Sequence, residues 1–398
     1  MNQKLLIMFS ACCLLLPTQG QAQVKLGQSC ALTGSLNELG PEMAKGVKLY
    51  VEKRAANEFA LTTKDDGYEP DRARANTEEY IKNGTQVLFG YLGTPTAKAA
   101  LPLANDSKTL FFGAGTGAVF LSDVKANPYS FVLRASYDTE VENMVRHLKD
   151  DLGIKKIALF VQHDDFGLAG VVAAVKAVDA VKGVEIVPAL PPIPGADATV
   201  DDWNKFWKEV PNYKRNTVAV GSAVRQVRGS GAEAVILVAT SRPASLAINQ
   251  WHKMGYSVPM LNISFVGSTS LATRLHDSEH VYISQIVPDP WNAKLPIVKQ
   301  YQDDMGDGKI DFLNFESYLA ASVLHQAVKS VKGEVTSESI KTALEGMTDY
   351  DAGGIKVSFG PDDRRGMDAV YLTKVEKSGE TVKFVYVDKL AKAEAEKK

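Results

Sequence analysis

Cysteine is scarce in this sequence, with three residues in 398, and two of them, Cys12 and Cys13, lie within the first 22 positions. Beyond residue 22 only Cys30 remains, and a lone cysteine cannot form an intramolecular disulfide. Cys30 lies in an apolar strand pattern without a neighbouring base, so we expect an inert core residue. Stability must then come from burial rather than from covalent cross-links.

No charge of one sign dominates, because 45 basic and 47 acidic residues give a formal net charge of −2. This balance offers no attraction for nucleic acid or for an anionic membrane surface. Long apolar runs are also missing: beyond the N-terminal segment, none is long enough to cross a membrane. The sequence contains neither an internal repeat nor a long linker.

The N-terminus has the pattern of a secretory signal peptide. Lys4 gives a short positive start, residues 5–16 form a twelve-residue run of apolar residues with one serine and two cysteines, and Pro17 ends the run. Gly20 and Ala22 supply the small residues that a cleavage site requires. Twelve apolar residues are too few to span a bilayer. We therefore predict an exported protein that is cleaved near Ala22.

Strand and helix patterns alternate along the rest of the chain. Residues 24–32 have the pattern of a strand, and Pro41 opens a helix at a position where its missing N–H does least harm. The alternation starts again after Arg134 and ends in a hairpin pattern over residues 370–387. Repeated strand–helix–strand units predict an α/β fold with parallel sheets covered on both faces. We expect two doubly wound lobes with a cleft between them.

Loops rich in glycine, serine and threonine follow the predicted strands. In open parallel sheets, ligands bind beyond the carboxyl ends of the strands. Thr94-Pro95-Thr96 lies at such an end, directly before a helix, where backbone N–H groups favour an anion. Ordinary capping of the helix by threonine is the alternative interpretation.

The sequence contains no catalytic constellation, and it predicts neither a cofactor nor a metal site. Gly113, Gly115 and Gly117 follow a strand, but the third glycine of a dinucleotide loop and its acidic partner about 20 residues later are missing. His276 and His280 have the i, i+4 spacing of a metal pair. Without a third ligand nearby, they are better interpreted as surface histidines.

The chain resembles the type I periplasmic substrate-binding proteins of ABC importers, in their branched-chain amino-acid-binding branch. The resemblance covers most of residues 24–387. Its motifs, in order, are Leu32-Thr33-Gly34 with Gly40 and Gly46, Asp65-Asp66, Gly90 and Thr94, Thr116, Asp165-Phe166-Gly167, Met254-Gly255, and Phe315-Glu316-Ser317-Tyr318-Leu319. The resemblance implies two lobes, joined by three hinge crossings, that close around a small ligand without performing chemistry on it.

The resemblance also implies a division of the chain. The expected segments are a signal peptide over 1–22, an N-terminal lobe over 24–135 plus 290–349, a C-terminal lobe over 136–289 plus 350–388, a charged tail over 389–398, and hinges near 134–138, 287–291 and 348–353. The expected protein is a periplasmic monomer without a cofactor. Its implied partners are a small carboxylate or amino-acid-like ligand and an ABC permease with its ATPase.

The family's ligand contacts fall on several loops of this chain. Thr94 and Thr116 match positions that bind the ligand carboxylate, and the Ala114 carbonyl is available to a donor. Phe166 matches an aromatic residue that packs on the ligand from the second lobe. Leu39 lies where the first loop reaches into the cleft. We expect specificity to come from Thr94, Thr116, Ser264 and Arg242, and from aromatic walls formed by Tyr91, Phe166 and Phe265.

One departure concerns the ligand's nitrogen. Amino-acid binders of this family carry a carboxylate after the strand that ends here near Asn262, and the aligned residue is Ser264. No acidic residue lies within 259–275, and a buried ammonium group without a partner is costly. Arg242 enters at the neighbouring loop, where its planar guanidinium suits an anion. We therefore expect a carboxylate or neutral polar ligand without an α-amino group.

Two alternatives stay open. In the first, Arg242 points to solvent and Asp164 or Asp165 binds the ammonium group of a true branched-chain amino acid. In the second, the protein is a sensing module that presents its closed form to a membrane receptor or kinase. The preferred function is capture of a small polar or carboxylate solute for an ABC importer.

Overall fold

The computed structural model describes residues 23–391, so the predicted signal peptide and most of the predicted charged tail lie outside the described residues. The strands are β1 (Val24–Cys30), β2 (Phe59–Asp65), β3 (Val87–Phe89), β4 (Leu110–Phe112), β5 (Ser130–Phe131), β6 (Lys156–His163), β7 (Glu185–Ile186), β8 (Asn212–Lys214), β9 (Ala234–Val238), β10 (Met260–Asn262), β11 (Val281–Gln285), β12 (Tyr350–Asp351), β13 (Lys356–Val357), β14 (Tyr371–Ser378) and β15 (Thr381–Val387).

Helices connect most of these strands. They are α1 (Gly40–Arg54), α2 (Pro70–Lys82), α3 (Thr94–Asp106), α4 (Tyr137–Leu152), α5 (Asp165–Val181), α6 (Val200–Glu209), α7 (Gly221–Gly229), α8 (Ser241–Lys253), α9 (Ser268–Arg274), α10 (Pro296–Met305), α11 (Phe312–Ser330) and α12 (Ser337–Glu345). Short 3₁₀ helices occupy Gly34–Leu36, Val119–Ser122 and Ser264–Val266. Over residues 23–391, no helix combines the length and the apolar character that crossing a membrane requires.

The first lobe contains a parallel sheet with the strand order β2-β1-β3-β4-β5. Helix α11 is buried along most of its length and packs against α1. Gly46 permits this close approach, because a Cβ atom there would overlap the carbonyl oxygen of Asn314 and the hydroxyl of Ser317. The prediction of an α/β class with parallel sheets is confirmed.

The second lobe has a larger sheet with the order β15-β14-β11-β10-β9-β6-β7, and β8 also pairs with β6. Strands β6 to β11 form parallel pairs, whereas β14 lies antiparallel to β11. The predicted C-terminal hairpin is the pair β14 and β15, which turns at Gly379 with a φ of 60°. A left-handed conformation at this position suits glycine, which has no Cβ atom to clash.

Residues 359–366 run beside the first crossing between the lobes, which contains Arg134. Val132 donates its N–H to the Arg364 carbonyl, and Gly366 donates its N–H back to the Val132 carbonyl, both at 2.8 Å. Phe359 packs on Phe131 of the first sheet, with ring centroids 5.4 Å apart. Residues up to 366 therefore contact the first lobe, which differs from the expected division between residues 349 and 350. We propose that the third crossing follows residue 366.

Candidate functional site

Two buried threonine hydroxyls meet at the carboxyl ends of β3 and β4. Thr94 begins α3, and its Oγ1 lies 2.7 Å from Oγ1 of Thr116. Thr116 in turn donates to the phenol oxygen of Tyr137, at 3.1 Å, on the second lobe. The residue that caps α3 is Gly93, and no side chain caps that helix. The Thr94 hydroxyl is therefore not a helix cap, and its partner Thr116 makes the contact with the second lobe.

Aromatic side chains form the next part of this interlobe layer. Phe166, in the first turn of α5, packs against Tyr137 at 5.7 Å and against Phe265 at 4.7 Å between ring centroids. Leu39 reaches this layer from the first lobe, and a Cβ atom at Gly267 would lie 2.8 Å from its Cδ1. All four apolar side chains belong to one buried cluster that draws on both lobes. The closed cleft is therefore apolar along its middle.

A buried ionic cluster lies at the hinge end of the same layer. Arg134, on the first crossing, is 1% exposed, and its guanidinium lies 3.7 Å from Glu140 and 3.5 Å from Glu316. It also donates to the Ser264 hydroxyl. Glu140 accepts from the N–H of Ser264 at 2.8 Å and from its hydroxyl at 2.9 Å, and the hydroxyl of Ser284 donates to it as well.

Hydrogen bonding in this cluster is uneven. Nε and Nη1 of Arg134 are buried without a hydrogen-bond partner in the described chain. Burial lowers the pKa of Arg134, but the charges of Glu316 and Glu140 and the nearby Tyr137 hold it above its ordinary value. Burial raises the pKa of Glu316, and the positive charge of Arg134 offsets only part of that rise. The ionic cluster therefore has capacity for further polar contacts.

Two of the expected site residues lie elsewhere in the first lobe. The Tyr91 hydroxyl bonds to Thr77 Oγ1 at 2.7 Å, and its ring packs on Phe111 at 5.0 Å. Ala114 belongs to the same buried cluster as Tyr91, on the side of the sheet that carries α2 and α3. The structure therefore does not bring the side chains of Tyr91 and Ala114 into the aromatic layer, and the role of the Ala114 carbonyl stays a prediction.

Arg242 lies at the rim of the cleft rather than inside it. Its side chain is 46% exposed, and it pairs with Glu38 of the first lobe at 3.3 Å. Arg274 of the second lobe donates to the same carboxylate. We call these three residues the rim clasp, because one carboxylate of the first lobe joins two arginines of the second. The Arg242 guanidinium is thus occupied by protein in the closed form.

The two aspartates considered for a ligand nitrogen also have protein partners. Asp165 pairs with Lys98 across the cleft at 2.6 Å. Asp164 caps α5 by accepting from the N–H groups of Phe166 and Gly167, at 3.0 and 3.3 Å. Burial raises the Asp164 pKa to about 6, although these hydrogen bonds oppose the rise.

Several residues of the interlobe layer were not predicted from the sequence. Arg134 and Tyr137 lie in and just after a crossing segment, where no strand or helix periodicity marks them. Glu316 stands inside the 315–319 motif, which indicates the family but not a contact of this side chain. One signal was present: a charged residue between Leu133 and Ala135, in a segment expected to be buried, needs a partner.

The sequence matches a family described as "Periplasmic binding protein" over residues 23–380. A relative in Brucella abortus (strain 2308), named Leu/Ile/Val-binding protein homolog 7, is 22% identical over 363 residues, which cover 85% of this chain and 84% of that protein. Relatives of the same name occur in Brucella suis and Brucella melitensis at 23% identity.

Solved structures of similar proteins agree with this family match. A possible leucine/isoleucine/valine-binding protein from Rhodopirellula baltica superposes with a TM-score of 0.79 at 29% identity, covering 93% of this chain and 98% of that one. The substrate-binding protein LivJ from Streptococcus pneumoniae, in complex with isoleucine, superposes with a TM-score of 0.74 at 16% identity, covering 92% and 99%. The second of these shows likeness of fold alone.

Family and fold are those of non-enzymatic solute-binding proteins, which confirms the prediction that the chain is not an enzyme. Family membership also implies a periplasmic location. Together with the two-lobed α/β architecture, the match over residues 23–380 shows that the chain belongs to the type I periplasmic binding proteins, in the branched-chain amino-acid-binding family.

Proposed function

We propose that this protein captures a small solute between its lobes and delivers it to an ABC permease and ATPase. One observation carries the proposal: hydroxyl, aromatic and charged side chains from both lobes meet in a single buried layer. Thr94 and Thr116 supply the hydroxyls of that layer, Phe166 supplies an aromatic ring, and Arg134 supplies a charge. A ligand that contacts all three parts contacts both lobes.

Such a ligand works by differential binding. It makes its full set of contacts only when the lobes are closed, so it shifts the population toward the closed form. A permease that recognises the closed form would thereby distinguish loaded from empty protein.

The pair of threonine hydroxyls suits a carboxylate. Two hydroxyls and the N-terminus of α3, whose first turn carries no acidic residue, supply donors and a favourable dipole for an anion. This supports the expectation of a carboxylate group on the ligand. The names of the relatives, which refer to leucine, isoleucine and valine, support the same group.

An amino group on the ligand is compatible with the site. The sequence predicted a ligand without an α-amino group for two reasons. No carboxylate lies near Ser264 in the sequence, and Arg242 was expected to bind an anion inside the cleft. Glu140 from α4 contacts Ser264, and Arg242 is held at the rim by Glu38. We therefore extend the proposed ligand class to amino acids and related compounds.

Export belongs to the same proposal. The N-terminal pattern supports a signal peptide that is cleaved near Ala22, and the mature protein acts as a monomer in the periplasm. N-terminal sequencing of the protein released from the periplasm measures the cleavage site directly. A mature start several residues away from Gln23 would contradict the assignment.

A thermal-shift screen of the mature protein tests ligand capture. The plate pairs amino acids with their deaminated carboxylates and adds aromatic acids, amides and short polyols. A ligand that binds only the folded protein raises the unfolding midpoint, since it adds about 2.7 kcal/mol of stability at a hundredfold excess over Kd. Thr94→Val should abolish the shift for carboxylates, since it removes one donor and keeps the shape of the side chain.

Tyr91→Phe is the matched control. It also removes one buried hydroxyl of the first lobe, but that hydroxyl faces Thr77 in the core. Its ligand-induced shift should equal that of the wild type. Loss of the shift in Tyr91→Phe but not in Thr94→Val would contradict the placement of the carboxylate end.

A further inference from the structure

A groove of about 660 Å³ lies on the surface of the second lobe, next to the rim clasp. Its lining comes from helix α8, from Arg274 and His276 at and just after the end of α9, and from Val218 in the loop between β8 and α7. Every described residue that lines it belongs to the second lobe. The groove therefore does not require lobe closure.

Helix α8 has one buried face and one face that lines the groove. The buried face carries Ala244, Ala247, Ile248 and Trp251, which belong to the core of the second lobe. Residues three, four, seven and eight positions apart share one side of a helix. The groove face follows this spacing with Arg242, Ser245, Leu246, Asn249, Gln250 and Lys253.

Two large aliphatic side chains in this groove are exposed. Leu246, on the groove face of α8, is 39% exposed, and Val218 is 53% exposed. Aliphatic side chains that share one surface groove, with polar groups around them, are typical of a surface that contacts another protein.

The charged side chains of the groove are all basic. Arg242 and Lys253 stand at opposite ends of the α8 face, and Arg274 and His276 complete the set. Among the described residues that line the groove, none is acidic; Asp277 follows His276 but lies outside the lining. Eleven helical positions separate Arg242 from Lys253, which is about 16 Å or three turns. This length suits a protein segment with aliphatic and acidic side chains better than a small anion.

The groove shares two of its basic residues with the rim clasp. Arg242 and Arg274 line the groove, and both donate to Oε1 of Glu38 from the first lobe. Oε2 of Glu38 has no hydrogen-bond partner in the part of the chain that the structure describes. A foreign carboxylate in the groove would compete with Glu38 for the two arginines. Opening of the lobes would carry Glu38 away and leave both arginines available to that carboxylate.

We propose that this groove is a docking site for an acidic, amphipathic segment of the permease, and that docking loosens the rim clasp. This inference rests on the proposed function, which supplies the membrane partner. Because the arginines bind either the partner's carboxylate or Glu38, docking and closure oppose each other, and each weakens the other by the same factor. The docked segment thereby favours the open form, and the solute is released where the partner is bound.

Site-specific photocrosslinking in intact cells identifies the occupant. Leu246 is replaced by p-benzoylphenylalanine in the full chain, and the crosslinked peptide is identified by mass spectrometry. Val175 on α5 is the matched control, since it is also 39% exposed but lies outside the groove. The expected product at Leu246 alone is the permease, joined through a segment that contains aspartate or glutamate.

Four results of this experiment would overturn the proposal. They are the absence of any product at Leu246, equal products at Leu246 and Val175, a crosslink to a neutral or basic segment, and a crosslink to a second copy of this chain. The last result would make the groove an interface between two copies.

A charge reversal tests the chemistry of the groove. Lys253→Glu places a like charge beside an acidic segment and should lower the crosslink yield at Leu246 by at least about fivefold. Lys208→Glu makes the same change on an exposed lysine of α6, outside the groove, and should leave the yield unchanged. Both variants should keep the ligand-induced thermal shift, which also shows that they fold. Equal yields in the two variants would contradict the assigned chemistry.

Glu38→Gln tests the competition with the rim clasp. It removes the carboxylate that occupies Arg242 and Arg274, so the crosslink yield at Leu246 should rise by up to about fivefold, the contribution of two half-exposed ion pairs. Glu52→Gln, at an exposed position of α1 in the same lobe, should not change the yield. An unchanged or lower yield in Glu38→Gln would overturn the competition.

Failure of this proposal can be distinguished from failure of solute capture. If a ligand of the panel raises the unfolding midpoint but Leu246 forms no crosslink, docking in this groove is wrong and solute capture stands. If Leu246 crosslinks to an acidic segment of the permease but no ligand of the panel raises the midpoint, capture of those solutes is wrong and docking stands.

Discussion

Asp66, directly after β2, should make the stability of this protein depend on pH. Its side chain is fully buried, accepts from the Ser29 hydroxyl at 2.7 Å and from the N–H of Tyr68 at 2.9 Å, and has no ion-pair partner in the described chain. Burial raises its pKa from 3.8 to about 6, against the effect of those two hydrogen bonds. The folded protein therefore holds this proton more tightly than the unfolded chain does.

The direction in which stability changes with pH follows from that difference in proton affinity. Preferential protonation of the folded state stabilises it fully below pH 3.8, and the stabilisation is lost as the pH rises through about 6. Since a tenfold difference in proton affinity corresponds to roughly 1.4 kcal/mol, the complete loss is about 3 kcal/mol. Asp164, whose pKa is raised to about 6 in the same way, adds to it. Asp65 acts oppositely but at lower pH, since hydrogen bonds from Thr33 and Gly67 and the Arg72 guanidinium outweigh burial and lower its pKa to about 2.

The substitution Asp66→Asn isolates this contribution. An asparagine keeps an acceptor for the Tyr68 N–H and places an amide donor near the Ser29 hydroxyl, but it does not titrate. Urea unfolding at pH 4.5, 5.5, 6.5 and 7.5 gives the free energy of unfolding for both proteins. The wild type should lose about 2 kcal/mol more than the variant across that range, because part of the complete loss falls below pH 4.5.

The exposed residue Asp197 provides the control, and Asp197→Asn should follow the wild-type curve. If wild type and Asp66→Asn show parallel curves, then Asp66 is ionised in the folded protein at pH 4.5 and burial does not dominate its titration. That result would refute the reasoning.

Two further predictions concern the closed form and the first-lobe core. Glu38→Gln breaks both pairs of the rim clasp and should weaken ligand binding about fivefold at low salt, since two half-exposed ion pairs contribute about 1 kcal/mol together. The affinities of wild type and variant should differ at 50 mM NaCl and converge at 1 M NaCl. A difference that does not depend on salt would contradict an electrostatic clasp. Gly46→Ala should lower the free energy of unfolding by about 1–3 kcal/mol, because the new methyl group meets the Asn314 carbonyl where α1 crosses α11; unchanged urea unfolding would show that the helices move apart freely.

The sequence allowed much of the fold to be predicted, because the features that define it are local. Repeated strand–helix patterns indicated the α/β class, and the hairpin at Gly379 follows from an alternating pattern around a turn residue. Loops at strand ends also marked Thr94 and Phe166, and the structure brings these two residues into one interlobe layer.

The direction of a side chain was harder to predict. Tyr91 lies two residues beyond β3, where an error of one position turns a side chain to the opposite face of the sheet. It shares its buried cluster with Leu88, whereas Val87 and Phe89 face the other side. Its position at the carboxyl end of a strand predicted Tyr91 near the ligand, but the local backbone turns its ring into the core of the first lobe.

The ionic cluster could not be assembled from sequence at all. Arg134 comes from a crossing, Glu140 from the first turn of α4 and Glu316 from α11, so that only the closed packing of two lobes brings them together. Ser264 appeared to lack a carboxylate partner because its own loop contains no acidic residue. Contacts between distant segments are set by topology, which a local pattern does not encode.

Cys30 gives the protein a practical property. It is fully buried, it is the only cysteine after residue 22, and burial raises the pKa of its thiol far above the ordinary range. A thiol in that state reacts slowly with alkylating dyes. Two cysteines introduced on exposed positions, one on each lobe, would therefore be the only sites labelled in the mature chain. A fluorophore pair attached there turns lobe closure into an optical signal without prior removal of native thiols.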